Sequence, residues 1–418
     1  MLHLHSDGRD QGGTSQPIWH ARPGLASRFM PSAFTLTPEQ IALLETADRF
    51  GRNVLFPLAE QMDNDEWWPT DIMAQLGGQG LLGATVDERY GGAGMGMLEA
   101  GLVLQAFARW NHAFALSWVA HDNLCANNIA NNGNDDVKSR FLPKLCSGEW
   151  IGCLGLTEPG AGSDALGSMR TRAVRDGDNY VVNGSKLYIT NGPVADVCLL
   201  YAKSQPDAGS KGITAFAVET DTPGFHVAQK LEKMGFRGST TAELVFEDMV
   251  VPAANIVGSE HGGHQVVMSG LDYERAMIAP ISTGIAERAL ELSIDYAKTR
   301  EQFGKPIASF QMIQSRLADM YTWVETMKTF SWQVLAEVSE VDETEAGRGE
   351  IHARTAASVM YCADMCNKVL DNAVQVHGGT GYIWEAEINR LFRSTKLLEI
   401  GAGTTEVRKM IIAGELLK

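Results

Sequence analysis

The spacing of apolar residues changes twice along the chain, and this feature constrains the fold more than any other. Up to about residue 150 the sequence has a helical pattern and is rich in Ala, Leu, Gln and Asn. Between about residues 156 and 250 short alternating runs replace it, and after Pro252 the helical period returns. A spacing of three to four residues indicates amphipathic helices, and strict alternation indicates strands. We therefore predict an α+β multidomain protein with a β-domain between two helical domains.

The chain has 418 residues, which is enough for two or three domains. The predicted divisions are an N-terminal α-domain at 34–155, a middle antiparallel β-domain at 156–258 and a C-terminal helical bundle at 259–418. Residues 1–33 contain several glycines and prolines without sustained periodicity, so we predict a disordered leader there. A mitochondrial transit peptide or a start site placed too early would also account for this leader.

Local signals support the division into domains. Residues 37–40, Thr-Pro-Glu-Gln, have the pattern of a capping box and predict the start of the first helix. The dipeptides Asp-Gly at 176–177 and Asn-Gly at 183–184 are typical of hairpin turns. Because no helical pattern separates the strands of the middle segment, a parallel sheet of strand-helix-strand units is excluded.

The composition excludes several classes of function. The formal net charge of −16 argues against nucleic acid as a partner. No apolar run approaches the roughly 18 residues that span a bilayer, so we predict no membrane insertion. The six cysteines lack zinc or redox spacing, and Cys362 and Cys366 fall in a helical apolar stripe, so we predict core packing and no metal site. This usage favours a reducing, intracellular compartment. We expect the cytoplasm for a bacterial source, or the mitochondrial matrix for a eukaryotic one.

One glycine-rich segment matches a dinucleotide-binding fingerprint without its context. Residues 78–83, Gly-Gln-Gly-Leu-Leu-Gly, fit the pattern GxGxxG. However, residues 71–76 before it have a helical pattern, and no second strand follows at the required spacing. We interpret this segment as a helix end followed by a turn.

Two segments of the middle domain have the residue types of a ligand-binding surface. Residues 156–164, Leu-Thr-Glu-Pro-Gly-Ala-Gly-Ser-Asp, allow a ligand to approach the backbone, and their N–H groups with the Thr157 and Ser163 hydroxyls can face a phosphate or a ring's carbonyl edge. Residues 188–192, Tyr-Ile-Thr-Asn-Gly, place an aromatic face and a hydroxyl at a strand end, which suits a flat heterocycle. An ordinary turn and an ordinary strand end are the alternatives.

Three further segments lie in the predicted bundle, at 299–311, 375–382 and 401–406. Arg300 can bind a phosphate through two hydrogen bonds, and Phe303 offers a stacking surface. Glycine pairs in the other two segments allow close approach of the backbone. A helix terminus explains each segment by itself, but five such segments in one order are difficult to attribute to chance.

Through these five segments the chain resembles the acyl-CoA dehydrogenase family over about residues 34–418. The resemblance implies an N-terminal α-domain, a middle β-domain and a C-terminal four-helix bundle, which agrees with the division above. It also implies FAD as cofactor, an acyl-CoA substrate, electron-transfer flavoprotein as partner, and a homotetramer with the flavin at a subunit interface.

The resemblance assigns two groups of residues to the cofactor. The flavin and its ring would be lined by Leu156, Thr157, Gly162, Ser163, Tyr188, Ile189 and Thr190. The ADP portion would be held, partly by a neighbouring subunit, by Arg300, Phe303, Gln311, Gln375, Gly378, Gly379, Thr404 and Glu406. Tyr188 replaces the tryptophan usual at its position, so stacking should persist while shielding of the ring weakens.

The reaction of this family needs a carboxylate that removes the α-proton of an acyl thioester. Many members carry it in the loop where this chain has Ala402, which has no basic group. In the isovaleryl-CoA dehydrogenase branch, which the chain resembles most, this loop also lacks the glutamate, and the base lies on a bundle helix in a segment like residues 269–275. The resemblance therefore implies that Glu274 is the base; the alternative is a surface glutamate beside Arg275.

The same resemblance implies residues that bind the substrate. The backbone N–H of Ala402 would polarise the thioester oxygen. The implied substrate-binding residues are Ser163, Gln265, Asp272, Tyr273, Arg275 and Gly401. The small Gly401 leaves room for a branch near the acyl terminus, whereas Gln265 stands where isovaleryl members carry a tyrosine.

The predicted function is oxidation of a short branched acyl-CoA, similar to isovaleryl-CoA, to the 2-enoyl-CoA, with electrons passed to electron-transfer flavoprotein. Longer branched substrates of the citronellyl type, acyl groups on a carrier protein and an acyl-CoA oxidase remain open. A non-catalytic scaffold that binds FAD is the alternative outside enzymes.

Overall fold

The computed structural model describes residues 36–340 and 347–418. The predicted leader, residues 1–33, lies outside the described residues. The described chain forms helices, then a β-sheet, then helices again, in the order that the apolar spacing predicts. Within these residues, no helix has both the length and the hydropathy needed to cross a membrane.

The N-terminal part is helical and contains two π-helical segments. The predicted capping box is confirmed, because the Thr37 hydroxyl accepts from the Gln40 N–H and the Gln40 side chain accepts from the Thr37 N–H. The helices are α1 Pro38–Phe50, α2 Phe56–Asp65, α3 Ile72–Gly77, α4 Met97–Val119, α5 Asn128–Asn132 and α6 Asp135–Ser147. The π-helical segments, Gly51–Leu55 and Ala120–Asn127, directly follow α1 and α4.

The segment that matches GxGxxG forms a helix end and a turn, as predicted. Helix α3 ends at Gly77, and Gly78 caps it. The chain then turns, and the Asp122 carboxylate accepts hydrogen bonds from the N–H groups of Gly83 and Ala84. A buried side chain of the second π-helical segment therefore fixes this turn.

The described middle part forms one eight-stranded sheet. Its strands are β1 Gly152–Gly155, β2 Arg172–Asp176, β3 Asn179–Thr190, β4 Val197–Lys203, β5 Ile213–Glu219, β6 Phe225–Lys230, β7 Thr241–Pro252 and β8 Ile256–Val257. They lie in the order β6-β7-β3-β2-β4-β5-β8, with β1 beside β4. The pairing is antiparallel, as predicted, except that β1 runs parallel to β4 and one residue pair joins β2 to β4 in parallel. The alternation of apolar residues along a strand does not indicate which distant strand it pairs with, so the sequence could not predict these two parallel pairings.

One predicted turn is wrong. The Asp-Gly at 176–177 makes the expected hairpin between β2 and β3, but the Asn-Gly at 183–184 lies inside β3, where the register against β7 shifts. Gly184 has a φ of 146°, and a Cβ there would lie 2.6 Å from the Cα of Thr171. The glycine therefore allows a β-bulge and a close approach of two chain segments.

The C-terminal part is a bundle of long helices. The described helices of the bundle are α7 Gly263–Thr299, α8 Gln311–Ser339, α9 Gly349–His377 and α12 Thr405–Leu416. They are joined by the hairpin of β9 Glu301–Gln302 with β10 Lys305–Pro306 and by the short helices α10 Gly379–Tyr382 and α11 Glu387–Thr395. Cys362 and Cys366 lie fully buried in the core on α9, as their apolar stripe predicts.

One hydrophobic core joins the N-terminal and C-terminal helices. Helices α4 and α7 approach so closely that a Cβ at Gly284 would lie 2.3 Å from the carbonyl oxygen of Gln105. Phe107 of α4 and Ile281 and Ile285 of α7 are buried in this core. A second core lies between strands β4 and β5 and the helices α5 and α6, so the sheet packs against the N-terminal helices.

His121 ties the second π-helical segment to the sheet. The N–H of Gly152, the first residue of β1, donates to Nδ1 at 2.9 Å, and Nε2 lies 3.2 Å from the carbonyl oxygen of Leu145. A neutral ring with its proton on Nε2 satisfies both contacts. Burial lowers the pKa of His121 to about 4, although the Leu145 carbonyl acts in the opposite direction.

We expect His121→Gln to weaken the dependence of stability on acid. The folded-state pKa of about 4 lies below the ordinary 6.5, so between these values the folded state binds fewer protons than the unfolded state. The contribution of His121 is complete above pH 6.5 and is lost as the pH falls toward 4. On going from about pH 7 to about pH 4.5, the wild type should lose roughly 2.4 kcal/mol more than the variant.

Thermal unfolding of both proteins at the two pH values measures this difference. His226→Gln, which changes an exposed imidazole on β6, is the matched control and should behave as the wild type. Equal acid losses in the wild type and His121→Gln would contradict the assignment.

Candidate functional site

The loop after β1, residues 156–164, rests on a buried ion pair. Lys186 Nζ lies 2.9 Å from Glu158 Oε1 and donates to the carbonyl oxygen of Leu156 at 3.0 Å. The Glu158 carboxylate also accepts from the N–H groups of Arg170 and Thr171, at 2.6 and 2.9 Å. These bonds fix the loop to β3 and to the two residues that precede β2.

Both partners of this ion pair are removed from water, with Lys186 0% and Glu158 5% exposed. Burial lowers the pKa of Lys186 to about 8, while the attraction of Glu158 opposes this change. Burial alone would raise the pKa of Glu158, but the charge of Lys186 and the hydrogen bond from Thr171 outweigh it and lower that pKa. The loop is therefore anchored by an ion pair in which the charge of each residue favours the ionised form of the other.

The outer part of the same loop is open. A Cβ at Gly160 or Gly162 would have no atom within 4 Å, and Ser163 is exposed. A ligand can therefore approach the backbone N–H groups and the Ser163 hydroxyl without displacing protein atoms.

Tyr188 lies beside this loop. The N–H of Leu187 donates to the carbonyl oxygen of Thr157 at 2.8 Å, which aligns the end of β3 with the loop. Tyr188 has a φ of 63° and is 66% exposed, an unfavourable backbone conformation and an unusual exposure for an aromatic ring. Ile189 faces the core and Thr190 is half-buried. The structure thus brings Tyr188 and the open part of the 156–164 loop together on one surface, whereas the side chain of Ile189 belongs to the core.

The predicted base, Glu274, lies on α7 and faces the N-terminal part. Asn128, the first residue of α5, donates from Nδ2 to Glu274 Oε1 at 3.2 Å. Burial raises the pKa of Glu274 to about 7, while Asn128 and the charge of Arg275 act in the opposite direction. The carboxylate also helps raise the pKa of the buried Tyr201 on β4, although burial is the larger cause. A carboxylate with this pKa is suited to general-base catalysis near neutral pH.

Asp272, predicted to bind substrate, is instead engaged inside the bundle. Its Oδ1 accepts from His352 Nδ1 at 2.7 Å and from the Thr355 hydroxyl at 3.2 Å, and its Oδ2 accepts from the Gly347 N–H at 2.7 Å. Asp272 is 2% exposed. In this structure its carboxylate holds α9 against α7, and Arg275, also buried, lies 4.0 Å from it.

The loop at residues 401–404 is attached near the same part of the bundle. Arg408 on α12 is fully buried and donates from Nη2 to the carbonyl oxygens of Gly401 and Leu398, at 2.6 and 3.0 Å. Burial and the nearby Arg275 lower the pKa of Arg408 to about 10. Ala402 is exposed with a φ of 54°, so its backbone is in the left-handed region. Thr404 caps α12, and Glu406 is exposed in the first turn of that helix.

Six of the residues predicted to hold the ADP portion lie at the other end of the bundle, where α7 and α9 end. Arg300 follows α7, Phe303 lies in the β9–β10 turn, and Gln311 begins α8; Gln375, Gly378 and Gly379 lie at the end of α9. Tyr296 joins the two helix ends, because its ring stacks on His377 at 4.5 Å and its hydroxyl lies 3.2 Å from that of Thr380. Phe303 is 92% exposed with a φ of 53°.

These two groups of predicted residues are far apart within one chain. Glu274 and Thr299 are separated by 25 residues of α7, which corresponds to about 37 Å along a helix axis. Thr404 and Glu406 belong to the Glu274 end, because Arg408 on the same helix bonds to Gly401 and lies near Arg275, since burial and the charge of Arg275 lower the pKa of Arg408. A single chain therefore presents the predicted cofactor and substrate residues as two separate groups, which we call half-sites.

Two further predicted substrate residues are placed differently from each other. Tyr273 is half-buried and adjoins Glu274. Gln265 is exposed in the first turn of α7, nine residues before Glu274. Nine residues are two and a half helical turns, so Gln265 lies on the opposite face of α7 from Glu274.

Several residues around these half-sites escaped the sequence analysis. Asn128 is one of four asparagines between 127 and 132, and no local signal distinguishes it. Arg408 has the appearance of a surface cation on an amphipathic helix. Lys186 offered a signal, because a lysine stands among apolar inward residues of a strand and therefore needs a buried partner.

Profiles of the acyl-CoA dehydrogenase family match the chain in three parts. The N-terminal domain profile matches residues 37–149, the middle domain profile 153–249 and the C-terminal domain profile 261–417. The chain is 42% identical over 409 residues to isovaleryl-CoA dehydrogenase, mitochondrial, of Pongo abelii, covering 94% of this chain and 95% of the relative. It is 40% identical over 390 residues to 2-methylacyl-CoA dehydrogenase, mitochondrial, of Solanum tuberosum, covering 93% and 92%.

Solved structures give the same likeness. Butyryl-CoA dehydrogenase from Megasphaera elsdenii superposes with a TM-score of 0.87 at 37% identity, covering 92% of this chain and 100% of the other. A structure of PigA with FAD and proline superposes with a TM-score of 0.86 at 28% identity, covering 92% and 98%.

We expect Lys186→Met to destabilise the protein and to loosen the loop at 156–164. Removing one partner leaves the Glu158 charge buried without compensation, which typically costs about 3–5 kcal/mol. The double variant Lys186→Met/Glu158→Gln removes that charge and should recover part of the loss. Thermal unfolding measures the stability, and limited proteolysis followed by mass spectrometry measures cleavage within the loop.

Lys211→Met, which changes an exposed lysine, is the control and should match the wild type. A wild-type melting temperature and an uncleaved loop in Lys186→Met would contradict the role of this ion pair.

Proposed function

Since the chain belongs to the acyl-CoA dehydrogenase family, we propose that it oxidises a short branched-chain acyl-CoA, similar to isovaleryl-CoA, with Glu274 as the base. The family activity is removal of hydrogen from the α and β carbons of an acyl-CoA. The observation that carries the finer proposal is the position of Glu274. It is a partly buried carboxylate on α7 with a pKa of about 7, while the loop at 401–404 contains no carboxylate.

The residues present fit FAD, the cofactor of the family. Tyr188 offers an exposed ring beside the open glycines of the 156–164 loop, and Ser163 adds an exposed hydroxyl. When bound, FAD accepts the hydride that leaves the substrate β-carbon. We assign the flavin ring to the surface formed by the 156–164 loop and the end of β3.

The chain's own residues supply the remaining chemistry. The Glu274 carboxylate takes the α-proton, and its partly buried position keeps its basicity matched to neutral pH. The Ala402 N–H donates to the thioester oxygen, where negative charge develops as the proton leaves. Arg408 fixes the carbonyl of Gly401 and thereby the orientation of this loop.

A second copy of the chain would complete the cofactor site. The residues around Arg300 lie about 37 Å from Glu274 along α7, so the two half-sites of one chain do not combine. Two exposed features of the Arg300 end support binding of a cofactor portion from another copy: the guanidinium of Arg300 and the ring of Phe303. We therefore propose that the homotetramer expected for this family places Arg300 of one copy against the flavin surface of another.

Specificity for a branched chain rests on small residues. Gly401 and Ala402 leave space beside the thioester position that a glutamate would fill. A 2-methyl-branched acyl-CoA is the second candidate, because the relative with that name is 40% identical over 390 residues, close to the 42% of the isovaleryl relative. We propose electron-transfer flavoprotein as the electron acceptor. The mitochondrial names of these relatives support a matrix location if the source is a eukaryote.

We expect Glu274→Gln to lower the rate of flavin reduction by about 10² to 10⁴ without loss of FAD. The amide keeps the shape of the side chain but cannot take a proton. In the wild type the rate should rise with pH through about 7, since the base works only when ionised. Stopped-flow absorbance with isovaleryl-CoA measures the rate, and the spectrum of the purified protein measures FAD content.

Glu385→Gln, at an exposed glutamate in the segment before α11, is the matched control. Reduction at the wild-type rate in Glu274→Gln would remove Glu274 from the mechanism.

We also expect a preference for isovaleryl-CoA over octanoyl-CoA. A misplaced methylene in an apolar pocket is worth about 1–3 kcal/mol, so kcat/KM should differ by tens-fold to hundreds-fold. Steady-state assays with isovaleryl-, 2-methylbutyryl-, butyryl- and octanoyl-CoA measure the ratio. A higher kcat/KM for octanoyl-CoA would overturn the proposed specificity, and a higher value for 2-methylbutyryl-CoA would select the second candidate.

A further inference from the structure

Asn128 connects the N-terminal helices to the proposed base. It is 1% exposed and begins α5, directly after the second π-helical segment. Its Nδ2 donates to the carbonyl oxygen of Leu124 at 2.9 Å and to Glu274 Oε1 at 3.2 Å. The first bond orients the amide, so that a donor on it points at the carboxylate.

Gly270 makes room for this amide. It lies on α7, one turn before Glu274, and a Cβ there would lie 2.5 Å from Oδ1 and 3.1 Å from Nδ2 of Asn128. Glycine within a helix reduces helix stability, and here the missing side chain allows the close approach of Asn128. The hydrogen bond that orients the Asn128 amide and the space that Gly270 leaves for it are independent observations.

The charged and titratable groups around Glu274 come from two elements. Arg275 adjoins it on α7 and favours the ionised carboxylate. Tyr201 on β4 is buried, and burial together with Glu274 raises its pKa well above the ordinary range, so it stays neutral. Asn128 supplies a neutral donor from the third side.

We propose that Asn128 is a positioning residue for the base: its amide holds Glu274 Oε1 and leaves Oε2 to take the substrate proton. A donor bonded to a carboxylate also favours the ionised form of that carboxylate. This inference rests on the proposed role of Glu274. A neutral donor suits this task better than a cation, because a full positive charge in contact would lower the basicity that the reaction needs. An amide also has no proton to give up to the carboxylate.

The direct test is the titration of Glu274 in the FAD-containing enzyme without substrate. Carbon-13 NMR of protein labelled at the glutamate side-chain carboxyl reports each ionisation, and Glu274→Gln identifies the resonance. We expect Asn128→Ala to raise the pKa of Glu274 by about one pH unit, the effect of one lost hydrogen bond to a charged group. Asn128→Asp should raise the apparent pKa further, because two carboxylates then face each other.

The second readout is the pH dependence of flavin reduction. For Asn128→Ala the rate should fall about fivefold near pH 7 and recover to within about twofold above pH 9, since only the ionised fraction changes. A merely structural role would lower the rate at every pH without moving the profile, and that result would overturn the proposal. Asn131→Ala is the matched control, because Asn131 lies on the same short helix and its Nδ2 bonds to Oδ1 of Asn127, at 3.5 Å, and not to Glu274.

Gly270→Ala gives an independent test that leaves Asn128 in place. Its Cβ should displace the amide and shift the Glu274 titration in the same direction as Asn128→Ala. An unshifted titration in both variants overturns the role of Asn128. If instead Glu274→Gln reduces FAD at the wild-type rate, the proposed base fails, and the NMR titration still decides whether Asn128 controls the ionisation of Glu274.

Discussion

The close packing of α7 against α4 is the contact on which the arrangement of both helical parts depends. At Gly284 the two backbones meet, and any side chain there would overlap the carbonyl of Gln105. Polar side chains reinforce the same seam, because Arg109 of α4 forms ion pairs with Asp48 of α1 and Glu291 of α7. Half-buried pairs of this kind add geometric definition, whereas the apolar contacts supply most of the stabilisation. The seam fixes the axis of the helix that carries the proposed base.

The rotation of α7 about that axis is fixed separately. Asp272 accepts hydrogen bonds from two side chains of α9 and one N–H of the preceding loop, all within the bundle. Glu274, two residues later, therefore projects in a defined direction from a packed helix. A carboxylate on such a helix needs less ordering before it reacts than one on a loop, so less of its reactivity depends on loop conformation. The loop at 401–404 is then left with the task of presenting a backbone N–H.

Elements with local signals could be predicted from the sequence. The capping box at 37–40, the helix end at 78–83 and the apolar stripe through Cys362 are all found where their residues indicate. The prediction failed at Asn183-Gly184, because its signal equals that of a true hairpin and only the distant Thr171 explains the glycine. The parallel pairing of β1 with β4 was not predicted either, because it also depends on a partner that is distant in the sequence.

The candidate site divides along the same line. Glycine-rich and aromatic segments carry their chemistry in neighbouring residues, so they could be identified as ligand-binding candidates without the fold. The separation of the Arg300 end from Glu274 follows from the length of one helix and could have been calculated once its ends were known. The hydrogen bond from Asn128 to Glu274 could not be predicted, because the sequence does not indicate which of four similar asparagines faces α7. The roles of these residues in catalysis stay predictions.

The π-helical segment Ala120–Asn127 sets the helical phase between two anchoring side chains. His121 and Asn128 are seven residues apart, which is two turns of an ordinary α-helix, so a regular helix would aim both at the same neighbour. The wider π-helical turns, with their i→i+5 hydrogen bonds, turn the two side chains away from each other, and they contact different neighbours, Gly152 and Glu274. One short stretch of chain therefore binds the start of β1 through His121 and the Glu274 carboxylate of α7 through Asn128.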